Sequence, residues 1–165
     1  MKRPPIIILH GWGLSGNTFL PLARELKKRN YTVFVPDLPG FGMLAIPKQP
    51  LHLADYAVFL DAYIKKNNIR NPILIGHSFG GRVSLKYNEM YPKSVRALIL
   101  TGTPGFTPIP KKKLLLFISL AKIGKLLFSI PPLHLFQDAV RRWYYYVVGA
   151  KEFFRAEGTM RDTFK

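Results

Sequence analysis

The sequence predicts an α/β fold: a parallel sheet of four strands in the order 2-1-3-4, helices on both faces, and a helical segment after the sheet. Three observations lead there. Short apolar runs alternate with longer stretches of helical periodicity between residues 5 and 101. Those runs are continuously apolar, as in strands buried on both faces of a parallel sheet. Glycine-rich bends follow the first and third of them.

The elements come in a regular order. Pro5–His10 (PIIILH) reads as the first strand and ends in HGWGLSG. In FLPLARELKKRN, residues Phe19, Leu22, Ala23 and Leu26 recur at helical spacing. Tyr31–Val35 is the second strand, within YTVFVPDLPGFG, whose Pro/Gly end marks a loop. LADYAVFLDAYIKKNN sets Ala57, Leu60 and Ile64 on one helical stripe, flanked by Tyr56, Phe59 and Tyr63. PILIG is the third strand, Ser78 to Tyr91 a helix, and Val95–Thr101 the fourth strand. The order β-α-β-α-β-α-β calls for right-handed crossovers between parallel strands.

After GTPGFTPIP the pattern changes. Pro104, Pro108 and Pro110 mark a linker, and KKK opens an aromatic, helix-rich tail. Leu114–Ile130 reads as one or two helices stopped by a Pro-Pro pair; Phe136–Val148 carries RRWYYYVV; Phe153–Phe164 is helical. The division that follows is residues 1–110 for the sheet and 111–165 for the helical segment.

With 165 residues, 48% of them hydrophobic, the chain can bury one ordinary core. It has no cysteine, which excludes disulfides and thiolate metal sites and fits a reducing cytoplasm. Net charge is +16, with fourteen basic against five acidic residues in 1–110 and eleven against four in 111–165. Such charge attracts nucleic acid or anionic lipid, or serves solubility alone. No nucleic-acid reader motif accompanies it. The apolar run Ile6–Leu9 is too short for a signal-peptide core, and Lys122 and Lys125 interrupt the longest greasy stretch.

GHSFGG (residues 76–81) follows a strand and opens a helix. One reading is a serine N-cap after a glycine turn. The other is a nucleophile elbow, in which Ser78 is held in a strained bend, and the strand before and helix after favour it. Gly76 and Gly80 admit close backbone approach, Gly81 relieves helix–strand crowding, and His77 sits beside the serine pointing elsewhere. The helix N-terminus would stabilise a developing oxyanion through the Phe79 amide. HGWG ends the first strand, with Gly11 keeping the backbone close and the Trp12 amide as the second donor. Taken alone, His10 there is a buried, hydrogen-bonded histidine. Topology joins the two motifs, because in the 2-1-3-4 order strands one and three are neighbours and ligands bind in the crevice at that switch point.

HGWG, then DLPGFG (Asp37–Gly42), then GHSFGG, in that order and spacing, resemble the α/β-hydrolase superfamily. The resemblance covers roughly residues 5–110, and the tail looks like the start of the helical cap that many members insert. It implies a Ser–His–acid triad with Ser78 as nucleophile, Trp12 and Phe79 at the oxyanion-hole positions, no cofactor or metal, and a small acyl or C–C substrate. A serine at the elbow is similar to esterase, lipase and peptidase members.

The same resemblance places the triad acid and histidine late in the chain, and neither is found. His10 belongs to the oxyanion loop, His52 to a solvated loop before a helix, and His134 (PPLHLF) to the cap region. The strand after the elbow helix ends LTGTPG, without a carboxylate, and Asp138 and Asp162 lie in the tail. The expectation is therefore the N-terminal portion of a longer serine hydrolase, with little activity alone and a fourth strand (ALIL) whose apolar edge invites self-association. Two alternatives stand beside it. One is a non-enzymatic derivative of the fold. The other is membrane-surface association through KKKLLLFISLAKIGKLLF and RRWYYY, against which a lid over the acyl pocket is the preferred reading.

Overall fold

A computed structural model describes residues 3–103, 119, 133–136, 139, 140, 143 and 159–162. The chain divides into two compact units, Met1–Pro104 with Ala156–Lys165, and Gly105–Arg155. The first contains β1 (Ile6–Leu9), α1 (Leu20–Lys28), β2 (Val33–Phe34), α2 (Leu53–Lys66), β3 (Ile73–His77), α3 (Phe79–Met90), β4 (Ala97–Thr101) and a final turn of helix, α4 (Thr159–Asp162). Of the second, the described residues include a 3-10 turn at Leu133–Phe136. Most of the expected tail helices, Leu114–Ile130 and Phe136–Val148, lie outside the described residues. Among the described residues no helix is long and apolar enough to cross a membrane.

The sheet is parallel with strand order β2-β1-β3-β4, as the sequence predicts. β1 is one of its two inner strands, and all four of its residues are buried. The two-residue period of a strand sends them to opposite layers. Ile6 and Ile8 meet Ala23 and Val33 on the α1 side; Ile7 and Leu9 meet Tyr56, Leu60, Leu74, Phe79 and Val83 on the other. A run of four aliphatic residues with no polar member is what burial on both faces demands. α2 and α3 pack against each other on that second face, where the Tyr87 hydroxyl donates to Asp61 Oδ1 at 3.5 Å and Asp61 pairs with Lys65 at 2.6 Å.

β2 is shorter than the Tyr31–Val35 expected, for a local reason. α1 ends at a left-handed Asn30 (φ 62°), and the Tyr31 N–H turns back to the Leu26 carbonyl at 3.2 Å. That closes the helix in the manner of a Schellman cap, so Tyr31 has no N–H left for a ladder. α2 begins at exposed His52, whose backbone N–H donates to the Asp55 carboxylate at 2.7 Å.

β4 lies at the edge of the sheet. Its burial alternates: Ala97, Ile99 and Thr101 are exposed, and Leu98 packs on the α2/α3 side. The layer that α1 provides over β1 and β2 does not extend across it. Met160, in α4, is buried in the larger core, and the Thr159 hydroxyl donates to the Pro47 carbonyl at 2.5 Å.

Candidate active site

Residues 72–91 fold as extended strand, sharp bend and helix. At the bend Ser78 has φ 50° and ψ −111°, a conformation that costs a non-glycine residue on the order of 1–3 kcal/mol. The surroundings hold it there. Its N–H donates to the Thr101 carbonyl on β4 at 2.9 Å, and its carbonyl accepts from the Gly81 and Arg82 amides at 3.1 and 3.3 Å. Its side chain makes no capping bond to the helix it precedes. The N-cap reading of this serine is therefore not realised, and the half-buried hydroxyl sits at the positive end of the twelve-residue α3.

Two glycines let the bend close. A Cβ on Gly76 would lie 2.5 Å from the Gly81 Cα, and one on Gly80 would lie 2.6 Å from the Leu9 carbonyl carbon and 2.7 Å from the His10 oxygen. The start of α3 thus rests directly on the carboxyl end of β1. The HGWG loop arrives at the same place, since a Cβ on Gly11 would be 3.4 Å from Ser78 Cβ. Trp12 and Phe79 meet ring to ring, with centroids 5.2 Å apart at 89°. The structure so brings together Ser78, Gly11, Trp12, Phe79, Gly76 and Gly80.

His10 is fully buried, and its two ring nitrogens settle its tautomer. Nε2 accepts from the Leu38 N–H at 3.0 Å, so Nδ1 carries the proton and donates to the Gly11 carbonyl at 2.8 Å. Burial pushes its pKa down, against smaller upward pulls from that carbonyl and from Asp37, so the ring is held neutral. It is a strut between the loops after β1 and β2. Asp37 is a second strut, accepting from the Gly16 and Met43 amides at 2.7 and 2.9 Å. His77 points away from the serine, into the space between Phe19 (ring centroids 5.9 Å apart) and the Thr101 hydroxyl, 3.1 Å from Nδ1.

Sequence reasoning allowed for His10 as a buried, hydrogen-bonded histidine and missed the Asp37 strut and the aromatic wall. Phe41 packs edge-on against Trp12 at 4.9 Å, and the fully buried Tyr56 against Phe79 at 5.0 Å. The Tyr56 hydroxyl donates to the Pro39 carbonyl at 3.3 Å, and its pKa is raised to about 12, chiefly by burial. Asp37 and Phe41 lie inside the DLPGFG motif, which was the available signal. His52 caps α2 at the surface, and His134 lies in the second unit. Beside Gly81, the buried Thr103 hydroxyl has no hydrogen-bond partner among the described residues. An apolar cavity of about 390 Å³ lies between the loop after β2 and α2, lined by Pro36, Leu44, Phe59 and Tyr63, and Ser78 is not in its wall.

A parallel 2-1-3-4 sheet whose central strands end in a strained serine bend and a glycine loop defines a class: α/β proteins with a site at the switch point between strands. Within that class, the profile of the alpha/beta hydrolase fold matches residues 4–158, and the chain belongs to that family. It is 35% identical over 107 residues to a pimeloyl-[acyl-carrier protein] methyl ester esterase of Shewanella oneidensis, a match covering 64% of this chain and 37% of that protein. It is 33% identical over 115 residues to Lipase 1 of Psychrobacter immobilis, covering 65% and 34% respectively. Among solved structures it resembles an esterase from Exiguobacterium antarcticum, with TM-score 0.60, 28% identity, and 66% of this chain and 41% of that one covered. The N-acyl homoserine lactonase AidH is similar at TM-score 0.57 and 28% identity, covering 62% and 38%. The chain thus spans about a third of the length of these curated relatives.

Proposed function

We propose that this chain carries the nucleophile half of a serine hydrolase acting on a small carboxylic ester or related acyl or C–C substrate. The observation that supports it most is the Ser78 backbone: a positive φ retained by a residue that is not glycine, with no capping bond to account for it. In this reading Ser78 Oγ attacks the substrate carbonyl and the amides of Trp12 and Phe79 receive the oxyanion. Their place beside the bend supports that assignment, as do the packed Trp12 and Phe79 rings that hold the two segments in register. One such donor is worth about 10²–10³ in rate. Asp37 and His10 keep the surrounding loops in place and stay outside the chemistry, since the hydrogen bonds described above occupy both carboxylate oxygens and both ring nitrogens. The triad acid and histidine are assigned to no residue of this chain. A serine without a base is a weak nucleophile, so the chain alone should turn over esters orders of magnitude more slowly than a full triad.

The helical segment from residue 111 is, on the same proposal, part of a lid, and the cysteine-free composition suits a cytoplasmic setting. Self-association through β4 belongs to it too, supported by its place at the edge of the sheet and by the exposed face that carries Ala97 and Ile99. The deciding experiment is labelling by a fluorophosphonate probe. The full-length protein should react, and Ser78→Ala should abolish the reaction. Labelling that persists in Ser78→Ala would move the nucleophile elsewhere. A protein that never labels favours the non-enzymatic derivative.

A further inference from the structure

The opposite end of the sheet carries a feature that the hydrolase reading leaves unused. A cavity of about 490 Å³ opens at the amino ends of the strands, within the size range of small-ligand sites. Arg3 precedes β1, Arg70 precedes β3 and Arg96 precedes β4, and all three line it together with the Asn67–Asn71 turn. Its apolar wall is made by Pro4, Pro5, Phe34 and Ile69. It is remote from the serine bend: the five residues of β3 separate the two ends, roughly 16 Å at the rise of a strand.

The frame of this cavity is rigid. The Ile73 N–H donates to the Pro5 carbonyl and the Arg96 N–H to the Pro72 carbonyl, both at 2.8 Å, which ties the three arginine-bearing segments side by side. The Arg3 guanidinium lies 4.7 Å from the centroid of the Tyr31 ring, a stacking that orients it and leaves its N–H edge for a ligand. Among the described residues that line it, none is acidic. The ion pairs among the described residues are Lys28–Glu25, Lys65–Asp61 and Lys86–Glu89, so none of the three guanidinium groups has a carboxylate partner there. α2 ends nearby, and a helix C-terminus would repel an anion. That end is closed: the Tyr63 carbonyl accepts from Asn67 Nδ2 at 2.8 Å, Lys65 from the Asn68 N–H at 3.1 Å, and Ile64 from the Ile69 N–H at 3.0 Å. Three like charges around one concavity gain most from an anion with several acceptors. A phosphomonoester presents three such oxygens and a charge of about −1.5 to −2, and guanidinium forks match it in pairs of parallel hydrogen bonds.

We propose that this cavity binds the phosphate of a soluble phosphomonoester whose organic body is apolar or aromatic and rests on the Pro4–Pro5–Phe34–Ile69 wall. The proposal is independent of the hydrolase reading and needs no activity to test. The probe is phenyl phosphate, titrated calorimetrically at near-physiological salt, where charges separated by more than about 8 Å are largely screened. Saturable binding is expected. Arg70→Gln/Arg96→Gln should weaken it at least tenfold, about 1.4 kcal/mol. Arg24→Gln/Lys48→Gln, which removes the same net charge elsewhere, should bind as the wild type does. In the wild-type chain, ¹H–¹⁵N shifts on titration should concentrate at Arg3, Asn67–Asn71 and Arg96, a readout that survives any folding defect in the variants. Equal loss in both double variants would reduce the effect to overall charge and overturn the proposal. So would shifts centred on Ser78, equal binding of phenol, absence of saturable binding, or binding to phosphatidic acid vesicles without binding of phenyl phosphate.

Discussion

Replacing Gly80 by alanine tests the contact on which the proposed site depends. The new Cβ would fall 2.6 Å from the Leu9 carbonyl carbon and 2.7 Å from the His10 oxygen. These are backbone atoms of an inner strand and of the buried His10 strut, so no side chain can swing aside. The atom nearest the new Cβ is the Leu9 carbonyl oxygen, and restoring an ordinary contact near 3.4 Å to it requires the start of α3 to retreat by about 1 Å. Overpacking of that kind costs about 1–3 kcal/mol. The gain from replacing glycine inside a helix is only about 0.5–1 kcal/mol, so the net effect is destabilisation by up to about 2.5 kcal/mol. The retreat also carries the Phe79 amide away from the HGWG loop. A misplacement of about 1 Å in a reacting geometry is worth up to 10²-fold, so fluorophosphonate labelling should slow roughly tenfold to a hundredfold. Urea unfolding and labelling rate are measured on the same preparation, with Asn88→Ala, at an exposed position of α3, as the reference for helix propensity. A Gly80→Ala protein that is as stable as the wild type and labels at its rate would refute the claim that α3 is seated on β1 through this residue.

Other outcomes follow from the same geometry. Ser78→Gly removes the positive-φ strain and should raise stability by about 1 kcal/mol after glycine's entropy is counted, while eliminating labelling; no gain in urea midpoint would mean that the bend is unstrained. Because burial lowers the His10 pKa from 6.5, the unfolded chain binds more protons once the pH drops below that value. The stability contributed by the neutral ring is complete above pH 6.5 and is lost as pH falls, so urea midpoints at about pH 7.5 and about pH 5.5 should differ more in the wild type than in His10→Asn. An equal difference would show that His10 does not titrate on unfolding. Ile99→Lys places a charge on the exposed face of β4 and should lower the sedimentation-derived mass of any assembly; a wild type that is monomeric at high concentration ends the self-association proposal.

The strands could be read from the chain because each depends on local composition. An aliphatic run such as Ile6–Leu9 has few alternatives to burial on two faces, and crossover handedness then limits the topology. The bend at Ser78 was legible for a similar reason: glycine spacing after a strand reports backbone crowding before any coordinates do. β2 was read too long, and at its start the cap of the preceding helix withdraws Tyr31 through its N–H, a hydrogen bond and not a hydrophobic pattern.

Sequence by itself determined most of the elements and the two glycine bends, which follow from side-chain periodicity and backbone sterics within short windows; the sheet order rested on the alternation of strands and crossovers along the whole chain. Tertiary structure alone decided the partners of groups far apart in the chain. It set His10 Nε2 against the Leu38 amide, the Asp37 carboxylate across the Gly16 and Met43 amides, Met160 in the core, and Arg3, Arg70 and Arg96 around one cavity. Hydrogen bonds and charge clusters act through distance in space, and a single residue in a loop carries no periodic signal of what the fold will bring beside it.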